Sequence, residues 1–129
     1  MSRTEAAGVI IRHGNEILLV KRSYEVDNFV GIWSIPGGGV EKNEIPYEAA
    51  IRELYEETQI DSQELTFEDY LGTIKRKGKE DFHIFLWSAE RKMVPILDFE
   101  HTDYGWYKLS NLPKPMTPEM VEKIFEIIR

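Results

Sequence analysis

The chain has 129 residues, 42% of them hydrophobic and 30% charged, with a formal net charge of −7 and no cysteine. This is the size and balance of one soluble domain spanning residues 1–129, with no disulfide or thiolate metal site. The acidic balance argues against general binding of nucleic-acid backbone, and no apolar run is long enough to cross a bilayer.

The N-terminal sequence MSRTEAAGVIIRHG lacks the layout of a signal peptide, so a cytoplasmic location is expected. Thr4–Arg12 reads as a strand, His13-Gly14-Asn15 as a turn, and Glu16–Arg22 as the returning strand of a hairpin. A polar loop covers residues 23–31. Ile32–Ile35 reads as a short strand stopped by Pro36-Gly37-Gly38-Gly39. Pro46–Thr58 reads as a helix, with Pro46 in its first turn and Tyr47, Ala50, Ile51 and Leu54 as the buried stripe. Ile45 is a poor cap for that helix.

Leu65–Lys77 and Glu80–Ala89 follow as strands, the second apolar on both faces, with His83 expected in the core. Pro95 and Asp98 punctuate a loop, and Tyr104–Leu109 is a further strand. Thr117-Pro118-Glu119 caps a terminal helix with Met120, Ile124, Ile127 and Ile128 on its apolar face. Strands, helix, strands, helix predict an α+β fold with a helix on each side of a mixed sheet. No internal repeat or linker divides the chain.

The chemistry concentrates between Gly38 and Ile60. Glu53, Glu56 and Glu57 stand at i, i+3 and i+4 and share one helix face, about a third of a turn from the apolar stripe. Like charges so placed cost about 0.2–0.5 kcal/mol per pair in an isolated helix. A hard divalent cation offsets that cost, because Mg²⁺ prefers oxygen ligands shared between carboxylates and phosphates. The plain alternative is a solvated acidic face, with Arg52 pairing either Glu48 or Glu56. The glycines favour the cation. Gly37, Gly38 and Gly39 let the backbone approach a ligand, and a carbonyl there can join the carboxylates.

Together these residues resemble the Nudix box: Gly38, Glu44, Arg52, Glu53, Leu54, Glu56, Glu57 and Ile60 stand at that family's spacing. The WSIPGG entry, the early hairpin and the late aromatic strand extend the likeness along the chain. Two positions depart from the box. Gln59 replaces its last glycine, and Asn43 stands where glycine usually precedes Glu44. Both are backbone positions, and Gln59 puts the geometry of the helix exit in question.

The resemblance implies an α/β/α Nudix sandwich with a central mixed sheet, and Mg²⁺ (or Mn²⁺) bound by Glu53, Glu56, Glu57 and the Gly38 carbonyl. It implies that Arg52 orients a glutamate of the box and that Glu44 braces Arg52. Members hydrolyse a nucleoside diphosphate linked to a further group. The base would be Glu57 or Glu53, or a loop glutamate outside the box. Glu100 fits that place, with Asp103 as the alternative and a solvated acidic loop as the plain reading.

Substrate contacts are expected from Arg22, Phe29 and the Gly37 backbone. Trp33 could stack on a base but suits core packing better. Lys75, Arg76, Lys77 and Lys79 form a basic hairpin that could meet a polyphosphate, or simply guard a sheet edge. The stretch 75–78 carries neither the proline nor the tyrosine that marks ADP-ribose or diadenosine-polyphosphate subfamilies. The expectation is therefore a nucleoside or deoxynucleoside triphosphate, cut to monophosphate and pyrophosphate. ADP-ribose, nucleotide sugars and dinucleoside polyphosphates are the alternatives within the class. A non-catalytic nucleotide-sensing module is the alternative outside it. A monomer or homodimer is expected, with a small nucleotide as partner and no membrane.

Overall fold

The structure is a computed structural model and describes residues 5–23, 30–75 and 80–128, with the side chain of residue 128 excepted. Its elements in chain order are β1 (Glu5–His13), β2 (Glu16–Arg22), β3 (Trp33–Ser34), β4 (Gly37–Gly39), α1 (Pro46–Thr58), β5 (Thr66–Ile74), β6 (Asp81–Ser88), β7 (His101–Lys108) and α2 (Pro118–Phe125). No helix among the described residues is long and apolar enough to cross a membrane.

The strands form one mixed sheet in the order β3-β2-β1-β6-β5, with β7 on β2 and β4 on β1. The long contact at its centre is the parallel pair β1 and β6, running from Glu5 opposite Asp81 to Arg12 opposite Ser88. Parallel strands are covered on both faces, which the apolar sequence of β6 permits.

Period-2 alternation then sorts the side chains into two layers. Ala7, Val9, Ile11, Leu18, Phe85 and Trp87 meet Ala49, Ala50 and Leu54 of α1. Ala6, Ile10, Ile17, Leu19, Ile84 and Leu86 meet Met120 and Ile124 of α2. A helix therefore lies on each face, as the order of elements predicts. α2 is capped by the Thr117 hydroxyl, which accepts the Met120 amide at 3.3 Å.

The β1–β2 hairpin opens the functional region. The two strands pair only beside the turn, at Arg12 with Ile17 and His13 with Glu16. Beyond that they part, and two short strands fill the fork: β3 lies on Val20 and Lys21, and β4 lies on Ala6, Ala7 and Gly8. Gly37–Gly39 is thus a ladder strand rather than the turn its glycines suggest. A triplet without side chains carries no periodic signal, and its partner is some 30 residues away in sequence.

Other expectations shift in detail. Tyr47 is half-exposed, and Ala49 joins Ala50 and Leu54 in the buried stripe of α1. Ile45 offers no cap, and the Glu48 carboxylate accepts its amide instead at 3.2 Å. β5 runs from Thr66 to Ile74, and the expected extension over Arg76 and Lys77 lies outside the described residues. His83 is not a core packing residue: its Nδ1 pairs with the Tyr70 hydroxyl at 2.8 Å and its Nε2 with Glu5 at 2.9 Å. That ladder ties β1, β6 and β5 across the sheet.

Candidate active site

α1 is held at both ends by left-handed residues. Asn43 has φ 68° before it, and Gln59 caps it at φ 61° with its amide on the Tyr55 carbonyl at 2.8 Å. The helix exit therefore keeps the geometry a glycine would adopt, at some cost in strain.

Between these ends Arg52 is a hub. Its guanidinium grips Glu44 through Nε and Nη2 at 2.8 and 3.0 Å and donates to the Gly39 carbonyl at 2.9 Å. Nη1 reaches Glu53 at 3.0 Å and Glu56 at 3.2 Å. The Arg52 contact holds the Glu44 carboxyl below its ordinary pKa, and the Glu44 contact holds the Arg52 proton more firmly than usual. Glu44 also accepts the Glu41 amide at 2.9 Å, so the loop before α1 is tied to the same centre. Glu48 takes no part, being bound to the Ile45 amide.

The three acids of α1 have three environments. Glu56 is half-exposed and lies on Arg52. Glu53 is largely covered, with 14% of its side chain exposed. Glu57 is buried, with 3% exposed, and its Oε1 accepts the Gly37 amide at 3.0 Å. Burial pushes the Glu57 carboxyl well above its ordinary pKa, and a hydrogen bond and like charge from Glu53 add to the shift.

Gly38 closes this arrangement from the other side. A Cβ there would stand 2.5 Å from the Glu53 carboxyl carbon, so only glycine leaves room for that carboxylate against the strand. Gly37 is equally confined, since its Cβ would meet the Ala7 carbonyl at 2.6 Å.

These groups line the wall of a cavity of about 790 Å³. Glu53, Glu57, Gly37, Gly38, Gly39, Arg22 and Glu100 all border it, while Arg52, with Glu44 and Glu56 on it, is tied to that lining through Glu53 and the Gly39 carbonyl. Trp33, Ile35, Ile74, Phe82 and Met120 form its apolar part, and Lys75, Glu80, Thr117 and Glu119 its further polar rim. Trp33 packs in the core, 7% exposed and edge-on to Tyr107, and also borders the cavity. Lys75 also borders it and pairs with Asp81 at 2.8 Å. Phe29, Arg76, Lys77 and Lys79 lie outside the described residues.

Glu100 is half-buried, and burial raises its pKa, with further like-charge pressure from Asp98. Asp103 is not part of this cavity; it is exposed, and its carboxylate accepts the Tyr104 amide at 2.8 Å. The sequence reading missed the neighbour of Glu100. His101 is buried, pairs with Asp98 at 2.9 Å, and stands 3.9 Å from Glu57. The segment DFEHTDYGW held that histidine in view, but nothing local marks it as buried.

The donor set suits a hard divalent cation. Beside Gly38 it offers carboxylate oxygens and glycine backbone, in a cradle that a single methyl group at Gly38 would fill. Among the described residues, no three acid or histidine side chains converge closely enough in these rotamers to hold one ion. A bound cation would draw Glu53 and Glu57 together with the glycine backbone.

A mixed sheet between two helices, with an acidic helix meeting a glycine strand at a deep cleft, is the architecture of an α+β sandwich hydrolase. The chain belongs to the Nudix family, whose NUDIX domain model matches residues 2–127.

Named relatives support that membership. The CTP pyrophosphohydrolase of Escherichia coli K12 is 30% identical over 82% of this chain and 76% of its own length. The 8-oxo-dGTP diphosphatase of Proteus vulgaris is 41% identical over 50% of this chain, which spans only 56% of that protein. Among solved structures, a MutT NUDIX hydrolase from Burkholderia pseudomallei is 25% identical, with a TM-score of 0.74, 98% of this chain covered and 99% of that one. A C. elegans Ap4A hydrolase superposes with a TM-score of 0.80 over 95% of each chain at 24% identity, a likeness of fold.

Proposed function

We propose that this domain hydrolyses a nucleoside or deoxynucleoside triphosphate to the monophosphate and pyrophosphate, in the cytoplasm and with Mg²⁺. The observation that carries the proposal is the Glu53–Glu57 pair against Gly38 at the cleft wall. Two carboxylates gathered at the glycine strand, Glu53 against Gly38 and the buried Glu57 on the Gly37 amide, make an anionic site that a hard cation neutralises. The resemblance to a CTP pyrophosphohydrolase over most of both chains supports the triphosphate reading.

In this reading Glu53, Glu57 and the Gly38 carbonyl hold the cation, with Glu56 as an outer carboxylate. When bound, the cation neutralises charge on the phosphoryl oxygens and acidifies the attacking water. Arg52 keeps Glu53 and Glu56 oriented, and Glu44 keeps Arg52 in place. Glu100 faces the same cleft without a tie to Arg52 or Gly37, and its raised pKa suits it to accept the proton of the water. Arg22 borders the cleft beside Glu100 and meets a phosphate. The apolar stretch from Trp33 to Met120 receives the base, and the Gly37 backbone approaches the phosphates.

The test is a panel of nucleotides incubated with Mg²⁺ or Mn²⁺, with products identified by chromatography. Pyrophosphate release from a triphosphate, lost by at least about 100-fold in Glu57→Gln with the fold intact, is expected. Phosphate-by-phosphate cleavage, or equal turnover in Glu57→Gln, would contradict the scheme. Nucleotide binding with no hydrolysis would make the domain a sensor.

A further inference from the structure

The first residue of β7, His101, carries a buried imidazole that the proposed reaction leaves without a role. His101 has 2% of its side chain exposed, and Asp98 19%. Backbone bonds fix both residues against α1 and β2. The Ile96 amide donates to the Thr58 carbonyl at 2.8 Å, the Asp98 amide to the Glu57 carbonyl at 3.2 Å, and the Ser23 amide to the Glu100 carbonyl at 2.8 Å. The Ser23 hydroxyl adds a bond to the Phe99 carbonyl at 2.9 Å.

Within this frame Asp98 Oδ1 accepts from His101 Nδ1 at 2.9 Å, which orients the ring. The far nitrogen, Nε2, then stands 3.9 Å from Glu57 Oε1. That oxygen already accepts the Gly37 amide at 3.0 Å. The carboxylate of Glu57 is thus bounded by a backbone donor and by the rim of an imidazole.

We propose that His101, oriented by Asp98, is a positioning residue that confines the Glu57 carboxylate to the one orientation from which it can ligate a cation in the cleft. This rests on the reading of Glu57 as a cation ligand. The physical reason is rotamer freedom. A glutamate has three rotatable bonds, and a ligand must hold its place to within about 0.5 Å. The Gly37 bond fixes one oxygen, and the His101 ring, 3.9 Å from that same oxygen, bounds the space it could move into. Groups that brace ligands in this way are worth about 10–100-fold in metal affinity.

The test separates this role from mere packing. His101→Asn keeps a donor for Asp98 but does not reach Glu57, whereas His101→Gln reaches Glu57 and gives up the ring. Asp98→Ala frees the ring. Mn²⁺ binding is measured by electron paramagnetic resonance, without substrate or turnover, alongside thermal unfolding and the Mg²⁺ half-saturation of turnover.

The expected result is a loss of Mn²⁺ affinity of about 10-fold or more in His101→Asn, a smaller loss of the same kind in Asp98→Ala, and partial recovery in His101→Gln. The KM for nucleotide at saturating Mg²⁺ should stay within about twofold of wild type. Mn²⁺ affinity within twofold of wild type in His101→Asn would overturn the proposal, as would losses that follow thermal stability with no advantage for His101→Gln. Glu57→Gln is the control. If wild type binds Mn²⁺ and Glu57→Gln binds it equally well, the reading of Glu57 itself falls and this inference with it. If Glu57→Gln loses the ion and His101→Asn keeps it, the inference falls alone.

Discussion

Gln59 is a place where stability can be raised without touching the chemistry. It caps α1 at φ 61°, ψ 19°, a left-handed conformation. For a residue with a Cβ that conformation costs about 1–2 kcal/mol. Glycine adopts it without strain but loses about 0.5–1 kcal/mol more chain entropy on folding. The Gln59 side chain is exposed, so its removal gives up little packing. The net for Gln59→Gly is a gain of about 0.5–1 kcal/mol.

Unfolding entropy of about 2.1 cal/mol/K per residue over 129 residues makes that gain a rise in Tm of about 2–4 °C. The assay is thermal unfolding by circular dichroism in EDTA and again in Mg²⁺, together with kcat. Gln59→Ala is the control: it keeps the Cβ and the strain, and should stay within about 1 °C of wild type. A Tm in Gln59→Gly at or below that of wild type would refute the reasoning, since the left-handed cap would then carry no recoverable strain. A change in kcat beyond about twofold would refute the view that this exit is separate from the site.

The remaining predictions concern the cleft. Gly38→Ala places a Cβ 2.5 Å from the Glu53 carboxyl carbon, so Glu53 must swing away; turnover should fall by at least about 10-fold while Tm changes little, as kinetics and calorimetry would show. Arg52→Lys keeps a charge but loses the fork that grips Glu44 and the Gly39 carbonyl; kcat should drop by about 10-fold or more, and a variant with wild-type kcat would count against the hub.

The pH dependence has a definite sign. Burial holds the folded Glu57 pKa above its unfolded value, so the metal-free fold binds that proton more tightly than the unfolded chain does. Its stability should therefore fall as pH rises from the ordinary carboxylate value toward the raised one, and level off beyond it. Subtracting the Tm profile of Glu57→Gln from that of wild type isolates this slope, and saturating Mg²⁺ should remove it. A difference that rises with pH would reverse the assignment.

Much of this architecture was readable in the sequence because it depends on local patterns. The bounds of α1 follow from Pro46, the spacing of Ala50 and Leu54, and the polar exit after Thr58. The two-layer fold follows from the alternation in β1, β2 and β6. What was not readable depends on contacts between distant segments. β4 is a strand because the β1–β2 hairpin splays and leaves a fork to fill.

The unequal fates of Glu56 and Glu57 illustrate the same limit. They are neighbours on one helical face, yet 100° of rotation puts Glu57 under the glycine strand and leaves Glu56 at the surface on Arg52. His101 is buried because β7 shifts register against β2 between Lys21 and Arg22 and the preceding loop folds onto α1. No periodicity in DFEHTDYGW announces that.

The last carbonyls of α1 have a further consequence for how this chain can be altered. A helix end leaves such carbonyls without partners, and here those of Glu57 and Thr58 accept amides from Asp98 and Ile96. The Trp106 indole meanwhile holds the Met93 carbonyl at 2.9 Å. Within the connection between β6 and β7, extra residues are therefore tolerated upstream of these staples. A peptide tag or fluorescent reporter grafted between the exposed Glu90 and Arg91 would bulge outward at a small loop-closure cost and leave turnover intact. The same graft between Asp98 and Glu100 would unzip the loop from the helix and silence the enzyme.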